Sequence, residues 1–598
     1  MAKGKKRNTL EKKSPWSGFG AAVLAVLICL LGILVYKNST AEPIMDAGTP
    51  APGQTDAAAP SPPPPVVTEE VVFPEPEETP EPEPTPEPLP EFSPGPVSGT
   101  EPSNLIIETA VEVNGEIVKE YVSEEHIDFG YGADYTGLEG IITFRGNNFR
   151  DSASFGFANL SKERFGSYWT KGTASLQAPD GAVWTGNGWT GQPLIVRWPK
   201  ETRAVMKNMY DWARQQEELT EVIYAAMDGY VYFLEMDTGK ATRDALYIGY
   251  TFKGAGSLDP RGYPLLYVGA GYDSNRGKSR AFIISLIDGS ILYEFGNNDG
   301  FALRAWHMFD SAPLVDAETD QLIYPGESGI LYIIKLNTQY DSQAGTVSVN
   351  PDRVVKWRYK GARTGRKYWL GMEASAVIWR GHIIMPDNGG NLMCLDLNTL
   401  ELKWVQDVLD DTNCTPVLEL ENGHPYVYVS PSFHAGWRAY EGQTVAVPIF
   451  KIDAVTGEIV WQVDYKCHTV SGVSGGVQGS PALGKNGLSN LIFFPVARTP
   501  GASEGKLVAL DKRTGEAVWE FKTLIYSWSS PVAIYNEEGK GYIVYCTSGG
   551  YIYLLDGLTG EVLDSRDLGG NIEASPAVFE NTVVVGTRAQ IIWGIKLD

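Results

Sequence analysis

Short apolar runs alternate with polar turns along most of the chain, and one eleven-residue phrase returns several times. The phrase places apolar residues before an Asp, a Thr-Gly turn after it, and then a second apolar run. Because Gly readily takes the positive φ of such turns, each copy predicts a strand, a turn and a strand. Four copies lie at 509–519, 451–461, 394–404 and 554–563, and the first three end in Trp519, Trp461 and Trp404.

A second recurring marker, a small residue followed by Pro or a degenerate version of this pair, opens eight apolar runs. The markers lie at 192–193, 257–260, 311–313, 374–376, 415–416, 480–481, 530–531 and 575–576. Another β-rich run separates marker and phrase, so one repeat holds about four strands, the content of a propeller blade. The repeats therefore predict an all-β fold, an eight-bladed β-propeller.

The eighth repeat reaches Asp598 before it has supplied a fourth strand. A β-rich run at 165–170 can supply it, and a ring closed in this way leaves no unpaired edge strand. We therefore predict that an N-terminal segment, residues 104–188, contributes the ring-closing strand, and that residues 189–598 form the propeller. A stretch at 199–218 has apolar residues at helical spacing and predicts one helix that opens at Pro199.

The phrase at 509–519 resembles the tryptophan-docking motif of the pyrroloquinoline-quinone-like repeat propellers, the quinoprotein-dehydrogenase-like family. The resemblance covers about residues 141–598. It implies that Trp404, Trp461 and Trp519 stack between neighbouring blades. It also raises the chemistry of quinone-dependent dehydrogenases, although a fold does not by itself establish a function.

The first 40 residues have the pattern of a membrane anchor. A basic tail, residues 1–15, precedes an apolar stretch at 16–36, which is long enough to span a bilayer at about 1.5 Å per residue. The basic flank places the N-terminus in the cytoplasm and the propeller outside. We therefore predict a single-pass protein of the cell membrane; the alternative is a signal peptide cleaved near residues 39–41.

Residues 37–103 are rich in Pro and Glu, and they contain no Lys or Arg beyond Lys37. Such a sequence buries no core and favours extended polyproline II, so we predict a disordered linker that acts as a stalk. The whole chain carries a formal net charge of −24. This acidity argues against nucleic acid as a partner and is compatible with cationic ligands or proteins.

In a propeller, the loops before the inner strands and the turns between the second and third strands meet at one end of the central channel. Here these loops are rich in Trp, Glu, Arg and His, which predicts a recognition funnel. The candidate residues are Trp189, Arg304, His307, Asp310, Trp369, Glu373, Asn413, Gln478, Trp528, Glu573 and Arg588. The alternative is that these side chains only fill and hydrate the channel mouth.

Several departures from the family argue against quinone chemistry. The resemblance implies a ring of two adjacent cysteines over the cofactor, but no two cysteines are adjacent here. It also implies a calcium site and a Trp beneath the quinone; Glu373, Asn413 and Trp528 could take such roles, but no local motif matches. We therefore expect neither pyrroloquinoline quinone nor Ca²⁺, and we assign no catalytic or metal-binding residue. The four cysteines after the linker predict buried thiols, with a disulfide as the alternative.

The leading hypothesis is a membrane-anchored, extracytoplasmic binding or assembly scaffold of the cell envelope. Its partners would be envelope proteins or cell-wall components. The alternative is a sensor or carrier of a small wall-derived ligand, a glycan or a peptide, because Trp beside carboxylates suits both. A quinone-dependent dehydrogenase is the third hypothesis.

Overall fold

The structure is a computed structural model that describes residues 92–598, apart from residue 190 and the segments 364–369, 435–437, 439–441 and 471–473. These residues belong to the second of the two units of the chain, residues 86–598. The predicted tail, membrane span and most of the linker lie outside the described residues, as does Trp369. Within the described part, no helix has the length and apolar character needed to cross a membrane.

The described residues form eight antiparallel four-stranded blades, as predicted. Blades 1 and 2 comprise strands Leu194–Arg197, Thr220–Ala225, Tyr230–Glu235 and Leu246–Tyr247, then Ser257–Leu258, Leu265–Gly269, Ala281–Ser285 and Ile291–Phe295. Blades 3 and 4 comprise Leu314–Asp316, Gln321–Pro325, Ile330–Lys335 and Arg353–Gly361, then Val377–Trp379, His382–Pro386, Asn391–Asp396 and Leu402–Asp407. Seven of the eight blades begin directly after a marker, and the first strand of blade 2 lies within the degenerate marker at 257–260.

The second half of the ring follows the same plan. Blades 5 and 6 comprise Val417–Glu421, His424–Val429, Thr444–Asp453 and Ile459–His468, then Ala482–Leu483, Leu491–Ala497, Gly505–Asp511 and Ala517–Thr523. Blades 7 and 8 comprise Val532–Tyr535, Gly541–Cys546, Tyr551–Asp556 and Val562–Asp567, then Ala577–Phe579, Thr582–Thr587 and Ile591–Leu597, with Phe165–Gly172 as the fourth strand. Cys394, Cys414, Cys467 and Cys546 are buried free thiols.

The N-terminal segment closes the ring as the sequence predicts. Strand Phe165–Gly172 pairs antiparallel with Ile591–Leu597, which places Trp169 opposite Gly594. Further pieces of the segment add to existing blades. They are Gly140–Ile141 on blade 1, Ile106–Val113 and Glu116–Val118 on blade 3, and Ser154–Phe155 on blade 8.

The predicted linker ends at residue 103, but its last residues already pack on the propeller. Phe92 is buried against Trp379, with ring centroids 4.9 Å apart. The Thr100 hydroxyl donates to the Thr456 carbonyl at 2.7 Å, in the turn between the outer strands of blade 5. The chain therefore contacts the ring from residue 92 onward.

Each tryptophan of the repeated phrase lies between two blades. Trp461 of blade 5 reaches blade 6, where its indole N–H donates to the Lys512 carbonyl at 2.9 Å. Gly515, with φ +76°, lies against the indole ring of Trp461, and a Cβ at this position would come within 2.8 Å of the indole. The glycine of the Thr-Gly turn thus makes room for the tryptophan of the preceding blade. The same contact recurs as Trp404 with Gly457, Trp519 with Gly560, and Trp169 with Gly239.

The markers join neighbouring blades through a belt of buried hydroxyl groups. The Ser480 hydroxyl accepts the Thr415 N–H at 3.0 Å, and the Ser530 hydroxyl accepts the Ser480 N–H at 2.9 Å. The belt continues to Ser575, which accepts the Ser530 N–H at 3.2 Å. Since a buried N–H must find an acceptor, the small hydroxyl residues at these markers satisfy amides of the preceding blades.

Residues 142–153, which we call the plug, run inside the ring. Arg145 is buried, and its guanidinium donates to the carbonyls of Pro531 at 2.7 Å and Pro481 at 2.8 Å. The plug therefore binds directly to the markers of blades 6 and 7.

Arg150 fastens the plug to the opposite side of the ring. Its guanidinium donates to the carbonyls of Ala376 and Ala312, both at 2.9 Å, and to the Thr143 hydroxyl at 2.7 Å. Burial lowers the pKa of Arg150 to about 9, so the side chain keeps its charge at neutral pH. The two arginines together hold blades 3, 4, 6 and 7.

The prediction of one helix over 199–218 is wrong, because the segment forms two short helices, Lys200–Val205 and Asp211–Arg214. Between them the chain turns, which buries both Met206 and Met209. Arg203 stabilises the turn: its buried guanidinium donates to the Ala213, Gln216 and Glu217 carbonyls at 2.8–3.1 Å. The helical spacing of apolar residues did not reveal this buried cation.

We expect Trp461→Ala to lower the free energy of unfolding by about 3 kcal/mol, because it leaves a cavity between blades 5 and 6. Urea unfolding of the purified full-length protein measures the change. Trp306→Ala is the control, since Trp306 is 45% exposed and should change stability little. Equal effects of the two substitutions would contradict an inter-blade role for Trp461.

We expect Arg150→Met to cost about 3 kcal/mol or more, because at least two buried carbonyls lose their donor at roughly 1–3 kcal/mol each. The same urea titration measures the loss. Arg214→Met is the matched control, because Arg214 pairs with the exposed Asp211 and such surface pairs contribute about 0–1 kcal/mol. A stability unchanged by Arg150→Met would show that the plug does not hold the ring.

Candidate functional site

A cavity of about 1050 Å³ opens at the end of the channel where the inner strands begin, and we call it the cup. It is lined by the loops that precede the markers and by turns between second and third strands, as the sequence predicts for a funnel. Of the candidate residues, those that line it are Trp189, His307, Glu373, Asn413, Gln478 and Trp528.

The plug lies directly beneath the cup. A small void of about 10 Å³ separates them, and it is lined by Phe144 of the plug together with Asp310, Glu373 and Ser375. Because Arg145 and Arg150 fix the plug at this level, the described residues close the cup on the side of the plug.

The wall of the cup is aromatic. Trp189 is at its centre and meets Trp528 and Trp184 edge to face, with ring centroids 6.0 and 6.4 Å apart. Tyr272 packs against Trp184 at 4.9 Å. Trp189 has a φ of +52°, which is uncommon for a bulky residue, and its indole N–H donates to Glu373 Oε1 at 2.8 Å. This bond fixes the ring over the acidic floor.

Lys253 is buried within this aromatic wall. Its ammonium lies 4.5 Å from the ring centroid of Trp189 and 5.2 Å from that of Trp184. It also lies 3.1 Å from Asp310 Oδ2. Aromatic faces and a carboxylate therefore hold a primary ammonium here, which is the geometry of a cation–π site.

The floor is acidic. Asp310, Glu327 and Glu373 each place one carboxylate oxygen within 4.8 Å of the others, close enough to share a cation. Glu327 is 2% exposed, and its Oε1 has no hydrogen-bonding partner among the described residues. Burial raises the pKa of Asp310 to about 7 and raises the pKa of Glu327 well above its usual value. An ionised carboxylate is thus costly here without a cation beside it.

Amide groups link the floor to a fourth carboxylate. The side-chain N–H₂ of Asn388 donates to Asp411 Oδ1 at 2.7 Å and to Glu373 Oε2 at 3.2 Å. The amide of Asn413, in the orientation that donates, lies 2.9 Å from Glu373 Oε2. Burial also raises the pKa of Asp411. Glu373 is therefore the hub of the floor.

The remaining candidates border the cup. Arg304 donates to the Leu370 carbonyl at 2.7 Å and lies 3.9 Å over the ring of Trp306. Glu573 pairs with Arg588 at 3.3 Å, and it accepts the Trp189 backbone N–H at 3.3 Å. Arg304 therefore supports the loop of Trp306, and Glu573 supports the backbone at Trp189.

The lining of the cup also includes Lys253, Tyr272 and Glu327, which were not among the sequence candidates. Glu327 lies in the turn between the second and third strands of blade 3, at the place that Asn388 occupies in blade 4. The rule that selected turns of this kind could have found it. Lys253 lies in the loop before the degenerate marker of blade 2, and Tyr272 lies in the turn between the second and third strands of that blade, so the same two rules could have found them.

Comparisons with known proteins agree with this fold. A family model described as outer membrane protein assembly factor BamB matches residues 343–523 and 503–598. The BamB of Kangiella koreensis is 23% identical over 223 residues, 36% of this chain and 48% of the relative. A quinoprotein ethanol dehydrogenase of Pseudomonas aeruginosa is 24% identical over 177 residues, 29% of this chain and 26% of the relative.

Among solved structures, the quinohemoprotein alcohol dehydrogenase of Comamonas testosteroni is 12% identical, with a TM-score of 0.49. The match covers 77% of this chain and 80% of that structure. By contrast, the chain spans about half the length of the Kangiella relative and about a quarter of the Pseudomonas relative.

We expect Asp310 to contribute a loss of stability as pH rises from about 4 to about 7, because its raised pKa means that the folded state holds a proton which the unfolded state has released. Asp310→Asn removes this titration, so the difference in free energy of unfolding between about pH 5 and pH 7.5 should shrink. Urea unfolding at both pH values measures it. An unchanged or larger difference would contradict the raised pKa, whatever the variant's stability at one pH.

Proposed function

Because residues 343–598 belong to the pyrroloquinoline-quinone-like repeat β-propeller family, we propose that this protein is a binding and assembly scaffold of the cell envelope whose working surface is the cup. The observation that supports this most is the aromatic cup of about 1050 Å³, which the described residues of the plug close from below. Concave, largely apolar cavities with a few converging polar groups are the usual binding sites of proteins.

The rim of the cup supports a protein partner. Leu303 and Trp306, in the loop before the blade 3 marker, are 48% and 45% exposed. Leu524 and Ile525, before the blade 7 marker, are 83% and 39% exposed. Exposed apolar groups around a recessed site are typical of protein interfaces. The matched family model and the Kangiella relative are both named as an assembly factor, and these names favour the same role.

The N-terminal sequence supports a membrane setting. In this proposal the tail at 1–15 is cytoplasmic, residues 16–36 span the cell membrane once, and the Pro- and Glu-rich linker carries the propeller outside the cytoplasm. The partners are then envelope proteins or cell-wall components, and nucleic acid is not among them.

We infer that the cup does not suit the quinone cofactor of the family. Pyrroloquinoline quinone carries three carboxylates, and the cup floor already brings together Asp310, Glu327, Glu373 and Asp411. The ammonium of Lys253 is engaged by Asp310. Without a cation between them, a tri-anion would meet the ionised forms of these carboxylates in a buried site, which is costly. We propose a non-enzymatic role.

A small wall-derived ligand, a glycan or a peptide, is the second candidate. The depth of the cup favours it, because a recess floored by Glu373 and walled by Trp189 and Trp528 can enclose a small molecule completely. In that case the protein is a sensor or carrier.

The scaffold proposal predicts a specific loss of partners when the cup is altered. We expect the full-length protein, crosslinked and purified from its native membrane, to retain a discrete protein that Trp306→Ala/Trp528→Ala loses. Trp212→Ala is the matched control, because Trp212 packs under Lys240 in the segment between the first two strands of blade 1. Retention of the same protein by the double variant would refute a role for the cup, whereas recovery of wall fragments alone would favour the second candidate.

A further inference from the structure

The cup contains one organic cation of its own, the side chain of Lys253. Its ammonium is held by the faces of Trp184 and Trp189 and by the carboxylate of Asp310. Tyr272 contributes a third ring, with its centroid 5.9 Å from the ammonium. The wall of the cup is therefore built to stabilise an alkyl ammonium in a buried place.

Lys253 does not balance the charge of the floor. The floor contains four carboxyl groups, those of Asp310, Glu327, Glu373 and Asp411. The ammonium of Lys253 pairs with Asp310. Glu373 and Asp411 take hydrogen bonds from neutral amide and indole groups. Even with Arg304 beside Asn388, four carboxyl groups face two cations. Burial raises the pKa of Asp310, Glu327 and Asp411, so the floor is fully ionised only when a further cation binds there.

Glu327 marks where a further cation would be bound. Its side chain lines the cup, it is 2% exposed, and Oε1 lacks a hydrogen-bonding partner in the described part of the chain. A buried carboxylate oxygen without a donor is stabilised strongly by an ammonium group, because charge-assisted hydrogen bonds are the stronger class. The same oxygen would repel an anion.

We propose that the cup is a receptor for an organic ammonium group, a lysine side chain, an amino terminus or a free amine, which binds Glu327 and Glu373 and lies against Trp189 and Trp528. This inference rests on the proposed function, since it names the group by which the partner or ligand enters the cup. The aromatic wall favours an organic cation, because alkyl ammonium ions are attracted to aromatic faces while a hydrated metal ion makes no use of them. A cavity of about 1050 Å³ also accommodates the body that carries the ammonium.

The test is a binding series on the full-length protein in detergent at constant ionic strength. The probes are trilysine and phenethylammonium, and their neutral counterparts are Nε-acetylated trilysine with a blocked amino terminus and phenethyl alcohol. Melting temperature and calorimetric Kd are the readouts. We expect both ammonium probes to raise the melting temperature in a saturable way, and the neutral counterparts to leave it unchanged.

Glu327→Gln keeps the shape of the side chain and removes its charge, so it should weaken both ammonium probes about tenfold or more. Glu294→Gln is the matched control, because Glu294 pairs with Arg280 on the outer strand of blade 2 and should leave both affinities unchanged. Glu373→Gln is the second variant if the first does not fold, and circular dichroism checks the fold of each.

Equal binding of the neutral counterparts would overturn the inference, as would stabilisation by N-acetylglucosamine oligomers or by Ca²⁺ alone without any effect of the amines. If Trp306→Ala/Trp528→Ala loses the protein partner but the protein binds neither amine, the proposed ammonium receptor is refuted and the scaffold proposal is retained. Binding of the amines that depends on Glu327, with no partner lost in the double variant, would support the ammonium group and refute the scaffold.

Discussion

The guanidinium groups of Arg145 and Arg150 are buried inside the ring, bonded to the backbone carbonyls of four different blades. Such cations are costly to bury, and they are held here by several carbonyl dipoles each. The carbonyls belong to residues at the markers, where the belt of hydroxyl groups also joins the blades. One short segment therefore fixes the innermost strands around the channel and closes the channel at the same time.

The properties of the cup follow from this closure. Since the plug blocks the channel below, the floor residues are removed from bulk water, and burial raises the pKa of Asp310 and Glu327. The same burial strengthens the contact of Lys253 with the indole of Trp189. An open channel would let water screen these charges. The selectivity for cations that we propose is thus a consequence of how the plug is bound to the ring.

Much of the fold could be predicted from the sequence, because the repeats reflect local contacts: Gly515 of a Thr-Gly turn makes room for a tryptophan, and most markers carry a hydroxyl that accepts an amide of the preceding blade. The strand at 165–172 was predictable for the same reason, as a missing element of a regular series. The plug was not, since Arg145 and Arg150 carry no periodic signal and the blade carbonyls that they bind lie more than 150 residues away. The loops of the cup were predicted, but Glu327 was not. Its place in the acidic floor depends on neighbours from other blades.

The central claim is that the mouth of the cup is the surface on which partners bind, and site-specific photo-crosslinking in the native membrane tests it most directly. Benzoyl-phenylalanine would replace Trp306 at the rim in one protein and Val460, 48% exposed on the outer strand of blade 5, in another. The account predicts a discrete adduct from position 306 and none from position 460. An adduct from position 460 alone would contradict it and would place the partner on the outer edge of the ring.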